Sequence, residues 1–337
     1  MKYKSKGLFP CEKNTLVVVR KQLIKKITCL SLAIGLAGTA LSAQALTITP
    51  TFGSGFDSAA QTTVNQAINF FHSRISDNVN LKIKFVNSGS GLGSSSQSVF
   101  VFNYGNYLNA LKNDSNSAND TIALSHLPST SSPVNSTPSP VPGTSNTILL
   151  TRGNAVAVGL DTTGISVPDG SSSWDATISL NLNNTNFNRT SIDLNKYDLQ
   201  NVAMHEIDEV LGNGSWLGQT DTSFFSPMDL FRYTSGGTRT YTTTGDNAYF
   251  SIDGGTTQLV QFNQDSTGDY GDYHTGSGVH VQNAFGTRGV YTTNMTTELT
   301  GLDVIGYNLT PVPLPPAFWL MFSGLGLLTS LRKRCSS

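Results

Sequence analysis

Five consecutive residues, His205-Glu206-Ile207-Asp208-Glu209, concentrate the chemistry this chain can offer. An imidazole and a carboxylate can share a divalent cation, and a second carboxylate beside a bound water can serve as general base. The cluster stands out because, after residue 45, the glutamates are Glu206, Glu209 and Glu298, and all other acidity comes from Asp. On a helix turning about 100° per residue from Leu199, the residues Val202, Ala203, Glu206, Ile207 and Val210 share a core-facing arc. His205 and Glu209, four positions apart, sit together on one flank and can touch one ion. Glu206 projects between that ion and the core, and Asp208 is expected to face solvent.

The elements that must position this turn follow from the flanking pattern. Asn195, with Asp198 three residues later, reads as the cap of the helix, and Gly212 reads as its end. Upstream, residues 46–49 alternate as a strand. Residues 57–75 place Ala60, Val64, Ala67, Ile68, Phe71 and Ile75 on one helical face, with His72 at its edge as a packing histidine. Residues 81–86 form a further strand, the Gly/Ser-rich stretch 87–98 a loop, and 104–112 a short helix. The proline-rich stretch 128–146 is expected as a long surface loop. Residues 147–150, 155–160 and 176–181 read as strands, and so do 241–244 and 249–252. The stretch 265–278 is rich in Gly and Asp, and 297–305 suggests a last helix. Strands mixed with two long helices make an α+β fold, with the site on the second long helix.

The formal charge of the 337 residues is −1, but its distribution is uneven: 11 of 21 basic residues lie in the first 26 and last 6 positions. Residues 46–311 hold 10 basic against 21 acidic side chains, a net −11. That body lacks the basic footprint needed to neutralise phosphates, which excludes nucleic acid as the expected partner. Arg20, Lys21, Lys25 and Lys26 precede an apolar run over 27–41 and then Ala43-Gln44-Ala45, so residues 1–45 read as a secretory signal peptide. Cys11, Cys29 and Cys335 all lie outside 46–311. A metal in that body must therefore use His, Asp and Glu rather than thiolate.

Two resemblances add to this. Val312-Pro313-Leu314-Pro315-Pro316, an apolar run over 317–331 and Arg332-Lys333-Arg334 follow in the order of a PEP-CTERM sorting signal of the VPLP type. The resemblance makes 312–337 a sorting tail with a transient inner-membrane anchor, read by an exosortase-type enzyme. It implies delivery to the cell surface or extracellular matrix of a Gram-negative bacterium. The turn His205–Glu209 has the geometry of the zincin motif H-E-x-x-H, with Glu209 where the second histidine normally stands. Zinc accepts carboxylate oxygen, so the exchange is chemically allowed, and the harder donor set brings Mn²⁺ or Ca²⁺ within range. Gly212 matches the glycine of the longer motif H-E-x-x-H-x-x-G-x-x-H, but Ser215 stands at its third-ligand position. Met228 is a candidate for the methionine turn of metzincins and equally for an ordinary core residue.

The ensemble resembles a family of bacterial secreted zincin-like metalloproteases whose motif reads H-E-[ILV]-x-E-V-[ML]-G. Its companions here are Asp229–Tyr233, Phe250–Gly255, Gly268–Tyr273 and Leu302–Gly306. The resemblance implies a zincin/metzincin-like α+β fold with a mixed twisted sheet, and a metallopeptidase domain over 46–311 acting on a protein or peptide substrate. It makes Glu206 the catalytic base and His205 and Glu209 metal ligands. The third ligand must come from elsewhere: His274 is the first choice, with Asp272, Asp269 and Asp229 as alternatives. His280 reads as a strand histidine, and His126 gives no signal. A zincin-like surface, matrix or adhesion protein without turnover is the alternative function. The Asp/Gly clusters also suggest a calcium-stabilised carbohydrate-binding module.

Overall fold

The computed structural model describes residues 46–129, 146–162, 173–218, 225–245 and 247–310. The segments read above as a signal peptide and a sorting tail, and most of the proline-rich stretch, lie outside the described residues. Among the described residues, no helix is long and apolar enough to cross a membrane.

The chain is a mixed α+β protein. In order, the elements are β1 (Thr47–Phe52), α1 (Ser58–His72), β2 (Asn80–Asn87), β3 (Gly93–Gln97), β4 (Val99–Asn103), α2 (Tyr104–Asp114), α3 (Ala118–His126), β5 (Thr147–Thr151) and α4 (Arg152–Ala157). They continue with β6 (Ala176–Leu180), β7 (Thr185–Asn186), β8 (Tyr197–Asp198), α5 (Leu199–Leu211), β9 (Arg232–Ser235), β10 (Thr238–Arg239), β11 (Tyr249–Phe250), β12 (Val260–Gln261) and α6 (Thr296–Val304).

The main sheet has the order β1-β2-β6-β3. β1, β2 and β6 run parallel, and β3 pairs antiparallel with β6 at the edge. Parallel neighbours need a crossover, and α1 supplies the one between β1 and β2. Strand β2 alternates as its period of two requires, burying Leu81, Ile83 and Phe85. α1 buries Ala60, Val64, Ala67, Ile68 and Phe71 on one face, and Asp57 caps its N-terminus by accepting from Ala60 N. α1 and α5 pack on each other, and α5 also packs against β3 and β6. A smaller antiparallel sheet, β10-β9-β11-β12, belongs to the C-terminal half.

Several expectations change. Residues 93–97 form a strand rather than a loop, because backbone pairing to β6 overrides the weak strand propensity of Gly and Ser. Residues 155–160 are not a strand. The Thr151 hydroxyl accepts from Asn154 N and starts α4, and Gly159, at φ 75°, turns the chain away. A short apolar run carries no period that separates the two outcomes. The helix bearing the site starts at Leu199, with Asp198 rather than Asn195 as its cap, accepting from Asn201 N. Residues 241–244 form no strand. Strand β4 and helix α3, with its reciprocal Ser117/Asp120 capping box, were not anticipated by the pattern.

A candidate metal centre on α5

No residue of α5 is exposed. α1, α4 and the main sheet pack against it, and the Val281 carbonyl meets His205 from the C-terminal part of the chain. The helix ends at Gly212, whose φ of 114° suits a residue without Cβ. His205 and Glu209 lie one turn apart as expected, with His205 Nε2 3.6 Å from Glu209 Oε1. Asp272, from the loop after β12, completes the group, its Oδ1 also 3.6 Å from His205 Nε2. One ligand atom from each of the three lies within 4.8 Å of the others. Metal–donor bonds of about 2.0–2.2 Å would separate neighbouring tetrahedral donors by roughly 3.3–3.6 Å, which the two 3.6 Å spacings to His205 match.

The surroundings prepare each donor. His205 Nδ1 donates to the Val281 carbonyl at 3.0 Å, which turns Nε2 toward Glu209 and Asp272, with Gln282 Nε2 3.5 Å away. Ser95 Oγ of β3 donates to Glu209 Oε2 at 2.6 Å. Gln282 Nε2 donates to Asp272 Oδ1 at 3.0 Å. Glu298 of α6 receives the backbone N–H of Val281 (2.8 Å) and of Gln282 (3.2 Å), fixing the segment that holds His205 and Asp272. The loop bearing Asp272 is itself anchored: buried Arg232 donates to the Tyr270 carbonyl at 2.7 Å. A Cβ on Gly271 would collide with the backbone at Gly214 and Ser215. Ser95, Gln282 and Glu298 had no motif to mark them, since each acts through folded-state proximity alone.

Glu206 is 5 % exposed and its Oε2 has no hydrogen-bond partner. It fits only because β3 presents Gly93 opposite it, where a Cβ would strike the Glu206 carboxylate. Burial, and then the charge of Glu209, push its carboxyl up to about 9. Burial likewise raises Asp272 to about 7, with His205 opposing the rise. Burial alone would lower His205, but Asp272 and Glu209 outweigh it and hold the imidazole protonated well above its ordinary range. Glu209 is favoured as the anion: burial opposes this, yet His205 and Ser95 together bring it below the usual carboxylate value. A cation would take the place of the protons that this crowded set otherwise retains.

The other expected residues lie elsewhere. His274, the first choice for third ligand, is exposed and outside the cluster. It follows Asp272 by two residues on an irregular turn, a geometry that neither a helical nor a strand period describes. Asp229 accepts from Ser215 Oγ, Ser226 N and Ser226 Oγ, so it holds the turn Pro227–Phe231 together. The Ser215 hydroxyl is engaged there rather than at the cluster. Asp269 is exposed at the rim, and Met228 is buried against Gly301 of α6. His72 accepts from Ile48 N and is a packing residue. His280 stands edge-on to Tyr273. Asp208 does not face solvent. It is fully buried, accepts from Asn213 Nδ2 at 2.7 Å, and is raised well above its ordinary value by burial and then by the charge of Glu298. A one-face helical projection misplaces it because α5 is covered on both sides.

Two cavities meet at the cluster. The larger, about 490 Å³, is lined by His205, Glu206 and the loop over 279–290; the smaller, about 300 Å³, by Gln97, Ser215, Trp216 and Pro227. Ser95, Glu209, Asp269 and Asp272 line both, so the cluster lies on the ridge between them. Comparison with protein-family models, curated proteins and solved structures returned no match for the chain.

Proposed function

We propose that this protein is an exported, metal-dependent peptidase of the zincin type, with His205, Glu209 and Asp272 as metal ligands and Glu206 as general base. The observation that carries the reading is the convergence of one tautomer-fixed histidine and two carboxylates beside a buried, unpartnered Glu206 Oε2. Zinc is the first candidate for the ion, and Mn²⁺ and Ca²⁺ follow from the oxygen-rich donors.

A divalent cation held there supplies Lewis acidity toward a scissile carbonyl and makes a water acidic near neutral pH. Glu206 takes the proton from the attacking water and delivers it to the departing amine. Without a cation, burial and the Glu209 charge keep the Glu206 carboxyl protonated at neutral pH, so its role as base requires the positive charge of an ion held by His205, Glu209 and Asp272 to lower its proton affinity. Strand β3 lies at the sheet edge and passes both cavities, Ser94 and Ser95 lining one, Ser95 to Gln97 the other. An extended peptide can pair along such an edge and cross the ridge. The basic ends, the apolar runs and the proline motif support export, a transient inner-membrane anchor, exosortase-type processing and display at the surface or in the matrix.

The test is zinc loading followed by incubation with casein and a peptide library. About one equivalent of metal and measurable cleavage are expected, and Glu206→Ala should keep the metal while turnover falls by about 10²–10⁴. Cleavage that survives Glu206→Ala would reject the mechanism. Glu209 in place of histidine favours a second reading, a surface or matrix protein on the same scaffold that binds metal without turnover. Metal retention with no cleavage would select it.

A further inference from the structure

The smaller cavity offers a ligand hydrogen-bond acceptors and negative charge. Among the described residues, no Lys or Arg lines it or the larger cavity beside it. Its serine hydroxyls commit their protons to the protein. Ser95 Oγ donates to Glu209 at 2.6 Å, Ser226 Oγ to the Gly214 carbonyl at 2.6 Å, and Ser215 Oγ to Asp229. What such hydroxyls retain for a ligand is lone pairs. Trp216 adds an indole to the lining, a surface that attracts cations.

The carboxylates around the two cavities differ in what balances them. Asp198 is paired with Arg189, at 2.7 and 2.8 Å. Glu209 and Asp272 face the proposed cation, and Glu206 is reserved for proton transfer. Asp269 has no such assignment. It is exposed, it lines both cavities, and among the described residues no hydrogen bond or ion pair engages its carboxylate. Its backbone is fixed all the same: the Asp269 carbonyl accepts from Asn263 Nδ2 at 3.1 Å and from Asp272 N at 3.3 Å. The net charge of −11 over residues 46–311 adds a field that draws cations toward this surface.

We propose that the Asp269 side of the smaller cavity binds a Lys or Arg side chain, so that the protein acts on basic peptides. This rests on the reading of the cleft as a peptide site. The ammonium or guanidinium donates to the Asp269 carboxylate and to the serine lone pairs, beside Trp216. The occupant is a peptide side chain because Ser95 and Ser96 of the lining belong to β3, the edge strand along which an extended chain can pair. An acidic side chain at the same place meets only acceptors and like charge.

The test uses the full chain with Glu206→Gln, loaded with zinc, so that binding is read without turnover. Fluorescence anisotropy is measured with labelled Gly/Ser-rich peptides that differ at one position, carrying Lys, Arg, Gln or Glu. The Lys and Arg peptides are expected to bind about tenfold tighter than the Gln peptide, and the Glu peptide weakest. Asp269→Asn should reduce the Lys-to-Gln ratio below about threefold, with zinc still bound by chelator competition. Asp193→Asn removes the same charge from an exposed acid that lines neither cavity, and should leave the ratio intact. Equal binding of the Lys and Gln peptides, a preference that survives Asp269→Asn, or an equal loss in Asp193→Asn would overturn the subsite alone. No binding by any peptide while zinc is retained would overturn the peptide reading and the subsite together.

Discussion

Two acidic groups one residue apart on α5 have opposite fates. Glu209 meets His205 and Asp272 on a ridge between two cavities, with a hydroxyl, an amide and a carbonyl orienting the three. Asp208 faces the sealed side, 0 % exposed, with Asn213 and the neighbouring Glu298 around it. Burial raises the proton affinity of Asp208 and Glu298 alike. The difference lies in access and in the imidazole. The first group opens onto two cavities, where the proposed cation would neutralise it, whereas the second is sealed and holds its proton. Glu298 joins the two, since one of its oxygens fixes the backbone that carries the His205 acceptor.

The contrast breaks most sharply at Asp272. Asp272→Asn should weaken zinc binding by more than about 100-fold, beyond the range of outer-shell changes, and His274→Ala should leave it unchanged. Chelator competition on both variants checks the pair, and the reverse order would move the third ligand to His274. Gln282→Leu removes the donor to Asp272 without removing a ligand, so zinc affinity should fall by about 10–100-fold in the same assay. Gly93→Ala sharpens the comparison from the strand side. Overpacking against Glu206 should cost about 1–3 kcal/mol, read as a lower Tm, and should lower kcat in the peptidase assay.

The sealed group gives the smallest effect and a definite sign. A carboxyl whose folded pKa is raised keeps its proton when the unfolded chain has lost it. Stability therefore falls as pH rises above the ordinary Asp value. Asp208→Asn should remove part of that fall in the metal-free protein while leaving zinc affinity unchanged. Urea titrations at pH 5 and pH 8 measure it: the stability difference between the two pH values should shrink in the variant. An unchanged difference would mean that Asp208 is ionised in the fold at both pH values.

The same contrast explains what the sequence could convey. Helical spacing placed His205 beside Glu209, and Gly212 marked the end of the helix, because i,i+4 neighbours and left-handed caps are local properties. The amphipathic run of α1 and the alternation of β2 were legible for the same reason. Asp208 was misjudged since a helical period cannot tell one covered face from two. No local period shows that Asp272 rather than His274 turns toward His205 and Glu209, because in an irregular loop the tertiary fold decides which side chain points inward. Strand β3 was read as a loop although its Gly and Ser are what allow it to approach α5. Those residues weaken the local strand signal for the same reason that they make room for Glu206.

Metal content after equilibrium dialysis against zinc, by elemental analysis of the full chain and two adjacent variants, tests the central claim most directly. The account predicts about one equivalent in the wild type and in Asp208→Asn, and loss of it in Glu209→Gln with the fold retained by circular dichroism. A wild type that holds no zinc, manganese or calcium, or a Glu209→Gln variant that holds zinc as tightly as the wild type, would contradict it.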